Sequence, residues 1–292
     1  MCLTCGCSGD GNVTITNSQT GKTKSVETEI STPHSHTLSD GTVITHAHQG
    51  HSHTLPSPTK TKVSHIHARM HGTKISLEQD ILKKNNLIAA QNRNWFQARN
   101  IVALNLVSSP GAGKTTLLIR TIEDLKAKIP FSVIEGDQET VNDARKIRET
   151  GCQVIQINTG TGCHLEANMV QRGYRELDPP CNSIVAIENV GNLVCPALFD
   201  LGEYAKVAIL SVTEGEDKPL KYPHMFRASK VMILTKIDLL PYVQFDVDRC
   251  LEYARQVNPD LEIFRVSAVT GNGLQNWYEW LDRIRLNNHT SW

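Results

Sequence analysis

The sequence has 292 residues, of which 39% are hydrophobic, and its 30 basic side chains balance its 30 acidic ones. This neutrality argues against a nucleic-acid-binding protein that relies on overall charge, and no apolar run approaches the ~20 residues that cross a bilayer. The chain starts without a basic segment followed by an apolar one, so no signal peptide is predicted. We therefore expect a cytoplasmic protein, with no nucleic-acid partner and no membrane association, whose eight cysteines are thiols or metal ligands rather than disulfides.

The composition divides the chain into two regions. Nine of the twelve histidines lie between His34 and His71, and three of the eight cysteines lie in the first seven residues. Residues 1–73 are rich in Ser, Thr, Gly, Lys and His, and they contain too few large apolar residues to offset the entropy cost of folding. They are predicted to be a mostly disordered metal-binding tail, with marginal β runs at 12–16 and 42–45.

Residues 74–292 have the pattern of an α/β domain. Ser76 followed by Gln79 fits a capping box, which predicts a first helix from about residue 76 to residue 100. Apolar runs that alternate with helical segments predict a mainly parallel sheet with helices on both faces. The predicted strands are 101–107, 131–134, 154–157, 183–187, 206–212, 230–234 and 262–266. The predicted helices that follow the first one are 115–128, 142–150, 164–172, 247–256 and 273–286.

The segment 108–116, SSPGAGKTT, lies between a predicted strand and a predicted helix, which is the setting of a phosphate-binding loop. We expect Lys114 to reach the β- and γ-phosphates of a nucleotide as a catalytic residue, and Thr115 to ligate Mg²⁺. Ser108 takes the first glycine position of the motif G-x-x-x-x-G-K-[ST], whereas the rest of the motif is retained. The predicted nucleotide-binding residues of this loop are Gly111, Ala112, Gly113, Lys114, Thr115 and Thr116.

Two acidic residues follow predicted strands, Asp137 in EGD and Glu188 in ENVG. In an open α/β sheet both carboxylates would project at the C-terminal edge of the strands, where ligands bind. We predict that they hold Mg²⁺ or orient the attacking water, and that Gly191 donates its N–H to a γ-phosphate. The alternative is that these acids only cap nearby helices.

The sequence TKID at 235–238 follows another predicted strand and is a candidate for base recognition. Asp238 would accept hydrogen bonds from guanine, the stem of Lys236 would pack on the base, and Ser267 with Ala268 would close the pocket. Because Thr235 replaces the usual Asn of N-K-x-D, GTP is expected while ATP stays open as an alternative. A plain solvated loop is the other interpretation.

Cys2, Cys5 and Cys7 form a C-x-x-C-x-C motif at the start of the chain. Three thiols within six residues can wrap one soft divalent ion, and a free α-amine would add a fourth ligand. Ni²⁺, Zn²⁺ and Cu(I) all fit such a donor set, so the metal stays open. The alternative is three incidental thiols.

A histidine tract follows, mostly as pairs in which one residue separates the two imidazoles. Imidazoles on a flexible chain favour several weak Ni²⁺ or Zn²⁺ sites whose occupancy depends on pH, as in metal storage. The pattern does not select nickel over zinc, and a merely polar linker is the alternative. The residues are His34, His36, His46, His48, His51, His53, His65, His67 and His71.

A third metal-binding set is predicted inside the folded region. Cys163 and His164 follow the turn NTGTG, and Cys195 follows the ENVG sequence that begins at Glu188. Together they would hold Zn²⁺ or Ni²⁺, within one chain or shared across a dimer, and the segment from Glu188 would couple nucleotide to metal. The alternative is ordinary packing of buried residues. The isolated cysteines are predicted to be buried thiols: Cys152, Cys181 and Cys250.

These motifs, taken in order, resemble the HypB family, the nickel-incorporation GTPases of [NiFe]-hydrogenase maturation. The resemblance covers nearly the whole chain. Besides the histidine tract, it rests on MCLTCGC, VSSPGAGKTTLL, EGD, NTGTGCHLEA, ENVGNLVCPALFDLGE and TKIDLLPY. It implies a SIMIBI-class P-loop fold, GTP hydrolysis with Mg²⁺ and a homodimer promoted by GTP. It also implies a tight nickel site at the three N-terminal cysteines and a weaker nickel or zinc site at Cys163, His164 and Cys195.

The resemblance further implies two protein partners, a HypA-type nickel chaperone and the precursor of the hydrogenase large subunit. Two other functions stay open. One is a nickel or zinc storage protein with a vestigial nucleotide site, and the other is a GTPase that delivers nickel to urease. The C-x-x-C-x-C start disfavours the urease alternative.

Overall fold

The computed structural model describes residues 14–17, 20–25, 34–37, 43–46, 63–137 and 142–287. The strands are β1 Thr14–Asn17, β2 Thr23–Ser25, β3 His34–Thr37, β4 Val43–His46, β5 Val102–Ser108, β6 Phe131–Asp137, β7 Gln153–Asn158, β8 Ile184–Glu188, β9 Ala205–Ser211, β10 Val231–Thr235 and β11 Glu262–Arg265. The α-helices are α1 Val63–Ala98, α2 Lys114–Leu125, α3 Asn142–Glu149, α4 Ala167–Leu177, α5 Lys218–Lys221, α6 Pro223–Ala228, α7 Val247–Val257 and α8 Leu274–Asn287. Two short 3₁₀ helices are Cys195–Ala197 and Ile237–Tyr242.

Nine strands form one sheet in the order β11-β10-β9-β5-β8-β6-β7-β1-β2. The strands from β11 to β7 are parallel, whereas β1 runs antiparallel to β7 and β2 runs antiparallel to β1. β3 and β4 form a separate antiparallel pair. Because β5, β8 and β6 are neighbours, the residues that follow their C-terminal ends meet at one edge of the sheet.

Side chains alternate between the two faces of the central strands, and each face is covered by helices. In β9, Val207 and Ile209 pack toward one layer, whereas Ala208 and Leu210 pack toward the other. The first layer contains α2, α3 and α8, and the second contains α1, α4, α6 and α7. The predicted fold class, a mainly parallel α/β sheet with helices on both faces, is therefore confirmed. Within the described part of the chain, no helix has both the length and the apolar character needed to cross a membrane.

The ends of two helices differ from the predictions. Helix α1 begins at Val63, so the predicted capping residue Ser76 lies inside it. Helix α4 begins at Ala167 rather than at residue 164, and Glu166 before it has an extended backbone with φ −111° and ψ 160°. Asn189 accepts from the N–H of Leu165, and Asn85 accepts from the N–H of Ala167.

The region predicted to be a tail supplies two strands of the sheet. The predicted β run at 12–16 overlaps β1, which pairs with β7 over four residues. The run at 42–45 overlaps β4. A boundary at residue 73 stays a prediction, as does the disorder of the tail.

Candidate functional site

The loop between β5 and α2 has the backbone conformation of a phosphate cradle. Gly111 and Gly113 have φ values of 76° and 89°, which favour glycine, and Gly113 caps the N-terminus of α2. Ser108 is the last residue of β5 and needs no left-handed conformation, which explains why it can replace the first glycine of the motif. The loop lines a cavity of about 540 Å³ at the C-terminal edge of the sheet.

The predicted catalytic residues Lys114 and Glu188 form a buried ion pair in this cavity. The Nζ of Lys114 lies 2.7 Å from Oε1 of Glu188, and only 1% of Glu188 is exposed. The hydroxyl of Thr115 donates to the same carboxylate oxygen at 2.6 Å and to Asp143 at 3.0 Å. Asp143, in helix α3, belongs to the site although sequence reasoning placed it only in a helix. The site thus joins a cation, a hydroxyl and acidic oxygens at the start of α2.

Glu135 is a further acidic residue of the cavity that sequence reasoning missed. It pairs in register with Glu188 on the neighbouring strand and is 3% exposed. Burial, reinforced by the charges of Glu188 and Asp137, raises the pKa of the Glu135 carboxyl to about 8. The available signal was its spacing, because residues two apart in a strand share a face. Glu135 and Asp137 both belong to the EGD motif.

We expect the Glu135→Gln variant to reveal this raised pKa in protein free of nucleotide and divalent ions. The carboxyl has a pKa of about 8 in the folded state against an ordinary 4.5, so its stabilising contribution is complete below pH 4.5 and is lost as the pH rises through 8. The neutral amide does not titrate. The variant should therefore match the wild type in thermal unfolding near pH 4.5 and exceed it at pH 8. A constant difference across this range would contradict the prediction.

Two more predicted residues, Asp137 and Gly191, line the same cavity. Asp137 ends β6, one strand away from Glu188. Gly191 lies against the phosphate loop, because a Cβ atom there would stand 3.1 Å from Cγ of Pro110. The segment that follows Glu188 is therefore in direct contact with the loop that precedes Lys114. Oε2 of Glu188 is buried without a hydrogen-bond partner among the described residues, which suits a further cation there.

Thr235, which takes the place of the Asn in the base-recognition motif, connects the end of β10 to the phosphate loop. Its hydroxyl donates to the carbonyl of Ala112 at 2.6 Å, so the strand end at β10 is tied to the phosphate loop. Lys236 has a left-handed backbone with φ 59°, and its ammonium donates to the carbonyl of Gly111 at 2.8 Å. Lys236 lines the cavity, and Asp238 follows two residues later in a 3₁₀ helix. The motif and the phosphate loop thus form one connected surface.

Ser267 and Ala268 lie beyond the part of the cavity described above. They follow β11, whose end is joined to the end of β10 by the bond from the N–H of Val266 to the carbonyl of Leu234. The guanidinium of Arg120, in α2, donates to the carbonyl of Ala268 at 3.1 Å. The role of Ser267 and Ala268 in closing a base pocket stays a prediction.

We expect Thr235→Val to weaken nucleotide binding about tenfold. Valine has nearly the same shape but cannot donate to the Ala112 carbonyl, and a buried group without its partner costs about 1–3 kcal/mol. The Kd for GDP, measured by fluorescence titration, should rise, whereas Thr235→Ser should stay close to the wild type. Equal affinities for the valine and serine variants would show that this hydroxyl does not support the loop.

The predicted internal metal ligands come together in the structure. The ligand atoms of Cys163, His164 and Cys195 lie within 4.8 Å of one another, and all three residues are buried. Cys163 and His164 follow the turn after β7, and Cys195 begins a 3₁₀ helix after β8. The ammonium of Lys206 supports this helix by donating to the carbonyl of Pro196 at 2.7 Å. Two cysteine sulfurs and an imidazole at this spacing fit a soft or borderline divalent ion.

The environment of His164 also suits a metal ligand. Burial lowers its pKa to about 4, so the imidazole is neutral and able to coordinate at neutral pH. Its Nδ1 lies 3.6 Å from Sγ of Cys163, and its ring packs on Phe199 with centroids 4.0 Å apart. Nε2 is buried and has no hydrogen-bond partner among the residues that the structure describes. An unpartnered buried nitrogen of this kind is consistent with a missing ligand contact.

Residues 188–195, which we call the linking segment, connect the nucleotide cavity to the metal ligands. The segment begins at the partner of Lys114 and ends at Cys195. Asn189 accepts from the N–H of Leu165 at 3.1 Å, and Asn192 donates to the carbonyl of Cys163 at 3.2 Å. Displacement of the linking segment would therefore move both sides of the metal site.

The structure describes only some of the remaining predicted metal ligands. Cys2, Cys5, Cys7, His48, His51 and His53 lie outside the described residues. In the β3–β4 pair, His34 stands opposite His46, and His36 is two residues from His34. His65, His67 and His71 belong to α1. All of these sites stay predictions.

One prediction about the isolated cysteines is wrong. Cys152 and Cys250 are buried, as predicted, but Cys181 is exposed. It lies in the surface turn between α4 and β8, next to Asn182, whose φ of 59° is typical of such turns. No periodic pattern surrounds Cys181, so its exposure was not evident from the sequence.

The chain is similar to known proteins both in sequence and in fold. The sequence model of the CobW/HypB/UreG nucleotide-binding domain matches residues 102–265. Over 98% of its length the chain is 49% identical to hydrogenase maturation factor HypB of Escherichia coli strain K12, and it covers 99% of that protein. The crystal structure of HypB from Archaeoglobus fulgidus is similar with a TM-score of 0.66 and 34% identity, covering 70% of this chain and 99% of that one.

A second solved structure adds a bound metal. HypB from Helicobacter pylori, crystallised in complex with nickel, is similar with a TM-score of 0.67 and 36% identity, covering 71% of this chain and 98% of that one. Residues 102–265, which the family's sequence model matches, contain the phosphate loop and the three predicted internal metal ligands. The chain therefore belongs to the CobW/HypB/UreG family and, within it, to the HypB hydrogenase maturation factors.

Proposed function

We propose that this protein is a cytoplasmic GTPase that binds Ni²⁺ and delivers it during the maturation of [NiFe]-hydrogenase. In this proposal GTP hydrolysis changes the affinity of the protein for Ni²⁺. The observation that carries the proposal is the linking segment. One of its ends contacts Lys114, and its other end is Cys195, the proposed metal ligand that lies beside Cys163 and His164. The relatives named as hydrogenase maturation factors, and the nickel complex of one of them, support the same function.

Lys114 and Thr115 are the residues that would first respond to nucleotide. Both bind Glu188 in the structure, and both stand at the N-terminus of α2, where phosphate oxygens bind. A bound triphosphate competes for the ammonium of Lys114, which releases Glu188 from its ion pair. We propose that Thr115, Asp137 and Glu188 hold Mg²⁺, which would neutralise charge on the phosphates. Asp137 and Glu188 also lie where they can orient an attacking water.

Release of Glu188 would allow bound nucleotide to affect the metal site through the linking segment. Glu188 and Asn189 are consecutive, and Asn189 holds the backbone beside His164 through the N–H of Leu165. Gly191 contacts the phosphate loop at Pro110, so a ligand that moves this loop moves the linking segment too. We propose that GTP and GDP favour different positions of Cys195 and hence different metal affinities.

The donor set of the internal site accepts both Ni²⁺ and Zn²⁺. Two thiolates and a neutral imidazole suit either ion, and binding releases the thiol protons. We propose nickel as the cargo and zinc as a competitor. In this proposal Cys2, Cys5 and Cys7 form a tighter entry site for nickel, and the histidine tract holds a reserve of weakly bound ions.

We propose that the partners bind the surface around Cys195. Val194 precedes Cys195 and Leu198 follows it by three residues, and their large apolar side chains are 44% and 48% exposed. We propose that this surface contributes to a homodimer formed with GTP. A HypA-type nickel chaperone and the precursor of the hydrogenase large subunit are the proposed partners for nickel transfer.

The deciding experiment is a nickel titration of the full chain with GDP and with a non-hydrolysable GTP analogue, together with phosphate release from GTP and ATP. The proposal expects different nickel affinities with the two nucleotides and hydrolysis of GTP in preference to ATP. Equal affinities and no hydrolysis would indicate a storage protein. A deletion strain with normal hydrogenase but no urease activity would assign the delivery to urease.

A further inference from the structure

The two halves of the internal metal site come from separate parts of the chain. Cys163 and His164 lead into α4, whereas Cys195 leads into residues 199–202 before β9. The spacing of the three ligand atoms therefore depends on what holds these two stretches together. Within the described residues, helix α1 contacts both of them.

We propose that Asn85 and Asn92 of helix α1 are positioning residues of the internal metal site; we call this pair the amide clamp. Each amide bridges the same two stretches. Asn85 accepts from the N–H of Ala167 at 2.9 Å and donates to the carbonyl of Asp200 at 2.7 Å. Asn92 donates to the carbonyl of Ala167 at 2.8 Å and to the carbonyl of Leu201 at 2.9 Å.

The position of the amide clamp relates it directly to the ligands. Ala167 is three residues after His164, and its N–H and its carbonyl are both held by the clamp. On the other side, Phe199 packs on the His164 ring and immediately precedes Asp200, which Asn85 holds. Fixing Asp200 against Ala167 therefore fixes the packing partner of His164 as well.

The amide clamp is buried and closely packed. Asn85 and Asn92 are seven residues apart, two helical turns, so they share one face of α1. They are 5% and 0% exposed. Gly202 lets the helix approach closely, because a Cβ atom there would stand 2.5 Å from the carbonyl oxygen of Ala89. Arg93 adds an ion pair to Asp200 at 2.8 Å.

An asparagine is the side chain that this bridge requires. At Asn85 one planar amide accepts on its oxygen and donates on its nitrogen, so aspartate keeps the first contact and loses the second. Leucine would lose both. Groups that hydrogen-bond a ligating side chain directly typically change metal affinity 10- to 100-fold. The amide clamp acts one step further out, through the backbone of Ala167 and Asp200, so we expect an effect at the lower end of that range.

The inference rests on the proposed function of the internal site, and its test separates the two. The parent is the full chain carrying Cys2→Ser, Cys5→Ser and Cys7→Ser, so that thiolate-to-nickel charge-transfer absorption reports the internal cysteines and histidine-bound nickel does not contribute. Ni²⁺ titrations compare this parent with its Asn85→Asp and Asn85→Ala versions. GDP affinity and thermal unfolding are measured on the same proteins.

We expect Asn85→Asp to weaken Ni²⁺ binding about tenfold and to change the charge-transfer band, while the GDP affinity stays that of the parent. Two control variants accompany it. Gln91→Ala removes an exposed α1 side chain whose hydrogen bond within the described structure is to Gln171 of α4, and Ile284→Val loosens the core under α8, away from the metal site. Neither should alter the band.

Three results would overturn the inference. The first is an unchanged band and affinity in Asn85→Asp and Asn85→Ala. The second is an equal loss of nickel affinity in Ile284→Val at matched thermal stability, which would reduce the effect to general destabilisation. The third is a parent without any charge-transfer band, which would overturn the internal metal site itself and the inference with it.

Discussion

Substitution of Lys114 by alanine is expected to reduce GTP hydrolysis about 10²- to 10³-fold, the usual cost of removing one charge-stabilising donor from a transition state. The ammonium stands at the start of α2, beside the cavity that the phosphate loop lines. Among the described residues, no other cation contacts Glu188, so nothing replaces the ammonium in this variant. The measurement is phosphate release from GTP with Mg²⁺ under saturating nucleotide.

The same substitution also tests the ion pair. Without Lys114, the buried carboxylate of Glu188 keeps only the hydroxyl of Thr115 as a partner in the described structure, so thermal stability without nucleotide should fall. Lys146→Ala is the matched control. Lys146 lines the same cavity but is well exposed and pairs weakly with Asp143, so its loss should change hydrolysis little. Hydrolysis by Lys114→Ala at the wild-type rate would refute the proposed GTPase mechanism.

Replacement of Cys195 by serine is expected to abolish the dependence of nickel affinity on nucleotide and to weaken internal nickel binding about 100-fold or more. Loss of a residue that merely supports a ligand costs 10- to 100-fold, and loss of a thiolate ligand should cost at least as much. Serine keeps the size of the side chain in this fully buried position. The measurement is a nickel titration with GDP and with a non-hydrolysable GTP analogue.

Cys250→Ser is the control for this variant, because Cys250 is equally buried but lies on α7 and packs in the same core cluster as α6, away from the metal ligands. It should retain the full nucleotide effect on nickel affinity. If the effect persists in Cys195→Ser, the coupling runs through another element, such as the stretch from Cys163 to Leu165 that Asn189 contacts.

The parts of the site that were predictable share one property, which is that their chemistry is local in sequence. The phosphate loop needs glycines, a lysine and a hydroxyl within a few residues, and Gly111 to Thr115 provide them in order. Cys163 and His164 are adjacent, and Cys195 follows a recognisable motif. In each case one strand end and a short loop suffice to place the side chains.

The parts that were missed depend on contacts between distant segments. Glu135 matters because its strand pairs in register with the strand of Glu188, and no local pattern encodes that pairing. Asp143 matters because α3 packs beside the start of α2. The amide clamp is an extreme case, since Asn85 meets Asp200 across 115 positions of sequence. An asparagine in a long helix gives no sign of such a contact.

Helix boundaries were misplaced for a related reason. Capping boxes and apolar periodicity predict where a helix can begin, but side chains from elsewhere can take its first N–H groups. Asn189 and Asn85 accept from the N–H groups of Leu165 and Ala167, and the chain bends at Cys163 and His164 and stays non-helical up to Glu166. The deviation from the predicted helix is thus what leaves the imidazole beside Cys163.

The antiparallel pairing of β1 with β7 limits how far the N-terminal cysteines can lie from the sheet. Thr14 stands opposite Asn158, the last residue of β7, and Cys163 is only five residues further on. An extended chain spans at most about 3.6 Å per residue, so Cys7 is confined to within roughly 25 Å of Thr14. If nickel binds at Cys7 as proposed, the tether holds that thiolate near the internal ligands at an effective concentration on the order of millimolar, so the ion would pass between the two sites by direct exchange of ligands without release to solvent.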